Sequence, residues 1–232
     1  MGSITPPLRE AGVDIRLVVF DLGRVLLRIA DDWDHAAQLA ELPDLAGLTG
    51  DLSTRAARGS GHPLADAFDR FETGHLSVVD FLAAVTRETK LPAAQIQRVL
   101  DAVLIETYPG AIALLDRLRD LPVKTACLSN TNARHWQLFS DREHASYLPL
   151  DLFDFPLASQ IVRFAKPDPA IYRYVEDGTG IAPRQILFFD DLEENLDAAR
   201  QRGWHTRLIP RDLDNPVPTL IQHLRAFGVL EA

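Results

Sequence analysis

Leu17-Val18-Val19-Phe20-Asp21-Leu22-Gly23 sets four apolar residues in a row directly before a carboxylate. A segment apolar at every position, with no alternation, reads as a strand buried on both faces, and that is the mark of a parallel sheet. Outward from it, similar short runs recur at Val123 to Leu128 and Ile186 to Phe189, with weaker ones at Leu152 to Leu157 and His205 to Ile209. Helical patterns lie between them. Ile112, Leu115 and Leu118 share a face within 111–118, and Leu192, Leu196 and Ala199 do so ahead of Gly203, a C-terminal stop signal. Asp168-Pro169 reads as an N-cap followed by proline in the first turn, with Ile171 and Val175 as its buried stripe. Strands alternating with helices predict a Rossmann-like α/β core, a parallel sheet with right-handed crossovers.

The stretch from Ala30 to Tyr108 breaks this alternation. It shows no convincing strand but several helical segments, one opening on the capping-box spacing Ser77-Val78-Val79-Asp80 and another carrying Ile96, Val99, Leu100 and Val103. Turn signals such as Gly59-Ser60-Gly61-His62-Pro63 separate them. The expected organisation is therefore a leader at 1–13, a core at 14–29 and 109–232, and an all-helical insertion at 30–108. Arg211 to Pro218 reads as a surface loop before a last helix holding Leu220, Ile221 and Leu224.

A chain of 232 residues buries a substantial core without staples, and its single cysteine, Cys127, forms no internal disulfide. A reducing, cytoplasmic setting is the expectation. The seven histidines make no zinc-ligand pattern, and no apolar run approaches a membrane span or a signal segment. A net charge of -9 argues against nucleic acid as a partner. The basic residues comprise 21 Arg but only three Lys, at 90, 124 and 166, so a lysine beside other chemistry stands out.

Parallel sheets place ligands beyond the carboxyl ends of their strands. The residues just past the apolar runs are Asp21, Ser129 and the pair Asp190-Asp191, with Lys166 leading into a helix. Carboxylates gathered in a low-dielectric crevice repel unless a cation neutralises them, and oxygen-only ligation suits magnesium. With that ion in place, Lys166 and the Ser129 hydroxyl would hold a phosphoryl group facing Asp21.

In this ordered set the chain resembles the haloacid dehalogenase superfamily, mostly phosphatases, from about Arg16 to Ile209. The resemblance rests on Val18-Val19-Phe20-Asp21-Leu22-Gly23-Arg24, Cys127-Leu128-Ser129-Asn130-Thr131-Asn132, Lys166-Pro167-Asp168-Pro169 and Phe188-Phe189-Asp190-Asp191-Leu192-Glu193-Glu194-Asn195. Its nearest branch by these motifs holds bacterial sugar-1-phosphate phosphatases and the N-terminal phosphatase domain of soluble epoxide hydrolases. The resemblance implies that Asp21 is the nucleophile and a magnesium ligand, joined by Asp191 and the Gly23 carbonyl, with Asp190 and Asn195 behind them. It further implies that Ser129 and the Asn130 backbone N–H bind phosphate, that Lys166 neutralises the nucleophile and the transferring group, and that the insertion is a cap. The implied substrate is a small phosphorylated metabolite such as a sugar 1-phosphate, and the implied assembly a monomer or homodimer.

Two positions depart from the family pattern. Gly23 replaces the Asp that serves as general acid and base, which favours leaving groups that depart with little protonation: anomeric, acyl or aryl phosphates. Arg24 stands where glycine is frequent, and reads as structural or solvent-facing, with a reach toward substrate, or an obstruction of it, as the alternative. Alternative readings are a 2-haloacid dehalogenase, which needs no metal, and a non-catalytic phosphate sensor. Gly178-Thr179-Gly180 follows a helix and reads as a turn rather than a nucleotide loop. Trp33, Phe68, Phe71 and His75 read as cap core, with a specificity pocket as the alternative.

Overall fold

The computed structural model describes residues 13–42 and 62–231. The leader, apart from Val13, and the Gly59-Ser60-Gly61 turn fall outside them. Five parallel strands form the main sheet in the order β5-β4-β1-β6-β7: β1 (Leu17–Phe20), β4 (Lys124–Ser129), β5 (Phe155–Ala158), β6 (Ile186–Asp190) and β7 (His205–Leu208). β1 is central, with Phe20 beside Cys127 of β4 and Phe189 of β6. Its period-two alternation supplies two cores. Val18 and Phe20 pack with Leu187, Phe189 and helices α5 (Ala111–Arg119) and α10 (Val217–Ala226). Leu17 and Val19 face the other way, onto α8 (Pro169–Thr179) and α9 (Glu193–Gln201) through Ile171, Tyr172, Val175 and Leu196. Both faces are covered, as the unbroken apolar runs require. Cys127 is wholly buried, and burial pushes its thiol up to about 12, which makes it an inert core group.

The helical insertion holds α1 (Trp33–Leu39), α2 (Pro63–Glu72), α3 (Val78–Thr89) and α4 (Ala93–Ala102), with a core of its own around Phe68, Phe71 and Phe81. Ser77 caps α3 as its spacing predicts, accepting from the Asp80 N–H at 3.1 Å and donating to the Asp80 carboxylate at 2.7 Å. The expectation of no strand in this stretch fails at its end. β3 (Leu104–Thr107) runs antiparallel to β2 (Leu27–Ile29), and the chain enters and leaves the insertion along this two-stranded ribbon. Glu106 and Thr107 deny β3 an apolar pattern, and only pairing with a distant three-residue strand defines it. Asp168 caps α8 by accepting from the Ala170 N–H, and α8 runs through Gly178 to end on left-handed Gly180, so the glycine pair is a helix terminus. The final helix begins at Val217, inside the stretch read as loop.

Candidate active site

Because the strands are parallel and in register, their carboxyl ends share one edge, and Asp21, Ser129, Asp190 and Asp191 arrive there together. The Asp21 N–H donates to the Phe189 carbonyl at 2.8 Å, continuing the β1–β6 ladder to the carboxylate itself. Lys166 comes from the loop before α8 and is completely buried, its ammonium 2.9 Å from Asp21 Oδ1 and 2.7 Å from Asp190 Oδ2. One ligand oxygen from each of Asp21, Asp190 and Asp191 can be chosen so that all three lie within 4.8 Å of one another.

Electrostatics follow from this crowding. Burial raises the Asp21 pKa most strongly; Lys166 opposes it while Asp190 and Asp191 add to it, and the carboxyl ends at about 7. Asp191 is raised as well, by burial and then by Asp190. Burial would depress the Lys166 ammonium, but Asp190 and Asp21 outweigh it, so its pKa lies above the ordinary range and it is a fixed positive charge.

The second layer is built to hold this lysine. Asn195 donates its side-chain amide to both oxygens of Asp190, at 2.8 and 2.9 Å, and the Leu192 N–H donates to Oδ1 at 2.9 Å. Asp190 is thereby committed to orienting Lys166. The Asn130 side chain joins them: it accepts from the Lys166 N–H at 2.8 Å and donates to the Lys166 carbonyl at 2.9 Å. This clamp spans 36 residues of sequence and leaves no trace in local pattern.

Arg24 and Arg211 complete the mouth. Arg24 is nine-tenths buried, donates to Asp31 at 2.9 Å and to the Ala30 carbonyl at 3.2 Å, and sets Nε 3.8 Å from Asp191. Its φ of 61° is left-handed, which explains why glycine is frequent there. Arg211 Nε lies 2.9 Å from Asp191 Oδ2. Its place just past the carboxyl end of β7 is the signal that could have singled it out.

Between insertion and core lies a cavity of about 180 Å³ whose lining includes Gly23, Ser129, Asn130, Trp33, Phe68 and Phe71 but not His75. Trp33, Phe68 and Phe71 thus pack in the core of the insertion and wall the cavity as well. Ser129 is buried at this cavity wall, at the end of β4.

A Rossmann-like sheet whose carboxyl edge gathers an aspartate, a buried lysine and two further carboxylates beneath a helical cap defines a hydrolase architecture. By its match over residues 15–203, the chain belongs to the haloacid dehalogenase-like hydrolase family. It is 30% identical over 205 residues to a phosphatase of Mycobacterium tuberculosis, covering 86% of this chain and 89% of that one. Among solved structures it is similar to a family enzyme of Bacteroides thetaiotaomicron in complex with magnesium and inorganic phosphate (23% identity, TM-score 0.69, 86% and 96% covered). It shares its fold as well with the L-2-haloacid dehalogenase of Xanthobacter autotrophicus (21% identity, TM-score 0.56, 93% and 84% covered). Among the described residues no helix is long and apolar enough to cross a membrane.

Proposed function

We propose that this chain is a magnesium-dependent phosphatase of a small phosphorylated metabolite, working through an aspartyl-phosphate on Asp21. The observation that carries the reading is the buried lysine shared by two carboxylates, with a third beside them. Lys166 serves Asp21 and Asp190 while Arg211 and, farther off, Arg24 face Asp191, yet burial first and then the neighbouring carboxylates still hold Asp21 and Asp191 raised. Three carboxylates that converge within 4.8 Å, two of them held above their ordinary ionisation range by burial, make an all-oxygen donor set that fits a hard divalent cation. Asp21, Asp191 and the Gly23 carbonyl would hold it. When bound, magnesium supplies positive charge that keeps Asp21 ionised and offsets the charge of the phosphoryl oxygens.

The chain's own groups do the rest. Lys166, fixed by Asp190, Asn195 and Asn130, keeps Asp21 oriented and neutralises charge on the phosphoryl group. Ser129 and the Asn130 N–H hold that group in place. An Asp21 oxygen forms a bond to phosphorus as the bond from phosphorus to the leaving oxygen breaks, the electron pair leaving with that oxygen. Water then attacks the same phosphorus, releasing inorganic phosphate and restoring Asp21. No side chain at residue 23 protonates the leaving group, so it departs as an anion and the best substrates have acidic leaving groups.

The mycobacterial relative and the magnesium and phosphate of the Bacteroides enzyme support this reading. Gly23 also suits a dehalogenase, whose leaving halide needs no proton, but three carboxylates in one crevice disfavour a metal-free site. The test is phosphate release from phenyl phosphate, acetyl phosphate and glucose 1-phosphate with magnesium or EDTA, for wild type and Asp21→Asn. Release that needs magnesium and disappears in Asp21→Asn is expected. Chloride release from 2-chloropropionate in EDTA would replace this reading with the dehalogenase, and binding without consumption would replace it with a sensor.

A further inference from the structure

We infer that the cavity selects single-ring aryl phosphates, the phosphate monoesters of small phenols, over sugar phosphates; the inference rests on the phosphatase reading and names its substrate class. Two independent observations point the same way.

The first is the wall of the pocket. Ile29, Trp33, Phe68, Phe71, Leu100 and Leu104 supply an apolar surface to a cavity of about 180 Å³, which opens onto the phosphate-holding pair Ser129 and Asn130. An apolar cavity of about 150 Å³ accommodates benzene, so the space holds one ring. Trp33 and Phe68 already meet edge to face at 5.1 Å and 80°, and Phe68 meets Phe81 at 5.0 Å and 71°. A substrate ring would join that array in the arrangement aromatic rings favour. The lining also carries Glu72, Thr131, Asn132 and His135, and the last two are engaged with each other and with the Leu100 carbonyl. His135 Nε2 donates to the Leu100 carbonyl at 2.8 Å and its Nδ1 lies 3.2 Å from the Asn132 amide, while Asn132 Oδ1 accepts from the His135 N–H at 2.9 Å. Burial holds that imidazole down at about 4, neutral. Against the wall of Ile29, Trp33, Phe68, Phe71, Leu100 and Leu104 the several hydroxyls of a sugar would lose water and find few partners in exchange.

The second is Gly23, at the edge of the same cavity. A phenolate leaves without the proton that residue 23 has no group to give. As phosphorus bonds to Asp21, the bond from phosphorus to the aryl oxygen breaks, and the phenolate takes its proton from water once released. An aryl group therefore meets both the shape of the pocket and its missing acid, whereas a sugar meets at most the second.

Phosphonates separate this from reactivity, because they bind without being cleaved. Calorimetry in magnesium should find phenylphosphonate roughly 10- to 100-fold tighter than methylphosphonate, the value of burying one ring. Phe68→Gln should cut that ratio below about threefold. Trp33→Ser gives the same reading if circular dichroism shows Phe68→Gln unfolded. Turnover is then compared on phenyl phosphate, glucose 1-phosphate and acetyl phosphate, the last too small to use the wall. Equal affinity for the two phosphonates, or glucose 1-phosphate outpacing phenyl phosphate in kcat/KM, overturns the aryl assignment while acetyl phosphate turnover keeps the phosphatase reading standing. Aryl-selective binding with no release from any of the three overturns the phosphatase reading instead, and the ring would then be a ligand rather than a substrate.

Discussion

Restoring a carboxylate at residue 23 should convert the chain into a phosphatase for poor leaving groups, and the structure says what else must change. Gly23 is absent from the left-handed glycines, so its backbone accepts a side chain. A Cβ there would sit 3.0 Å from Ile29 Cδ1 but 3.8 and 3.9 Å from Cγ1 and Cγ2, so a single terminal methyl stands in the way. Ile29→Val removes that atom for about 0.5–1.5 kcal/mol of stability, toward the lower end because Ile29 is only half-buried. Gly23→Asp alone should therefore gain less than Gly23→Asp with Ile29→Val. A positioned general acid contributes roughly 10²–10⁴ in rate, and that gain should appear on ethyl phosphate, whose alkoxide needs a proton, and hardly at all on phenyl phosphate. The assay is kcat/KM for phosphate release from both esters in magnesium, for wild type, both single variants and the double. A folded double variant within about threefold of wild type on ethyl phosphate would show that proton supply is not what limits the enzyme.

Two further outcomes follow from the carboxylate cluster. Lys166→Met strands Asp21 and Asp190 without their buried partner and should lower stability by about 3–5 kcal/mol, read by urea unfolding at pH 8 in EDTA; a loss below about 1 kcal/mol would contradict the buried ion triad. Asp21, at about 7 against an ordinary value of 3.8, favours the folded state when protonated, so this group's contribution is complete below about pH 4 and is lost as pH rises through 7. On the proposed reading magnesium would have to displace that proton, so its affinity should climb by up to about tenfold per pH unit between 5 and 7 and level off above; calorimetry showing a flat affinity across that range would refute the coupling.

The strands that carry the candidate site are legible because they are buried on both faces: Leu17 to Phe20 and Ile186 to Phe189 admit no polar residue until the carboxylate that ends each run. Asp168 and Ser77 were legible because capping is local, decided within three residues. What escaped was non-local. β3 exists by virtue of pairing with Leu27–Ile29, about 78 residues away at Arg28 and Glu106, and neither strand has length or pattern enough to announce itself. The Asn130 side chain on Lys166 and Arg211 on Asp191 are likewise contacts between loops, which periodicity does not reach. Trp33, Phe68 and Phe71 illustrate a different limit. An amphipathic helix shows which residues turn inward, but not whether inward means a packed core or the wall of a cavity, and here both hold.

The ribbon of β2 and β3 has a consequence for how such a chain diversifies. Departure and return run side by side, with Leu27 opposite Thr107 and the Ala30 N–H bonded to the Val103 carbonyl at 2.9 Å. The main sheet therefore sees a gap no wider than the spacing of neighbouring strands, whatever is inserted between them. Closing a longer excursion costs only logarithmically more entropy, so this doorway tolerates graft, trimming or wholesale exchange of what lies beyond it while the reacting groups keep their places.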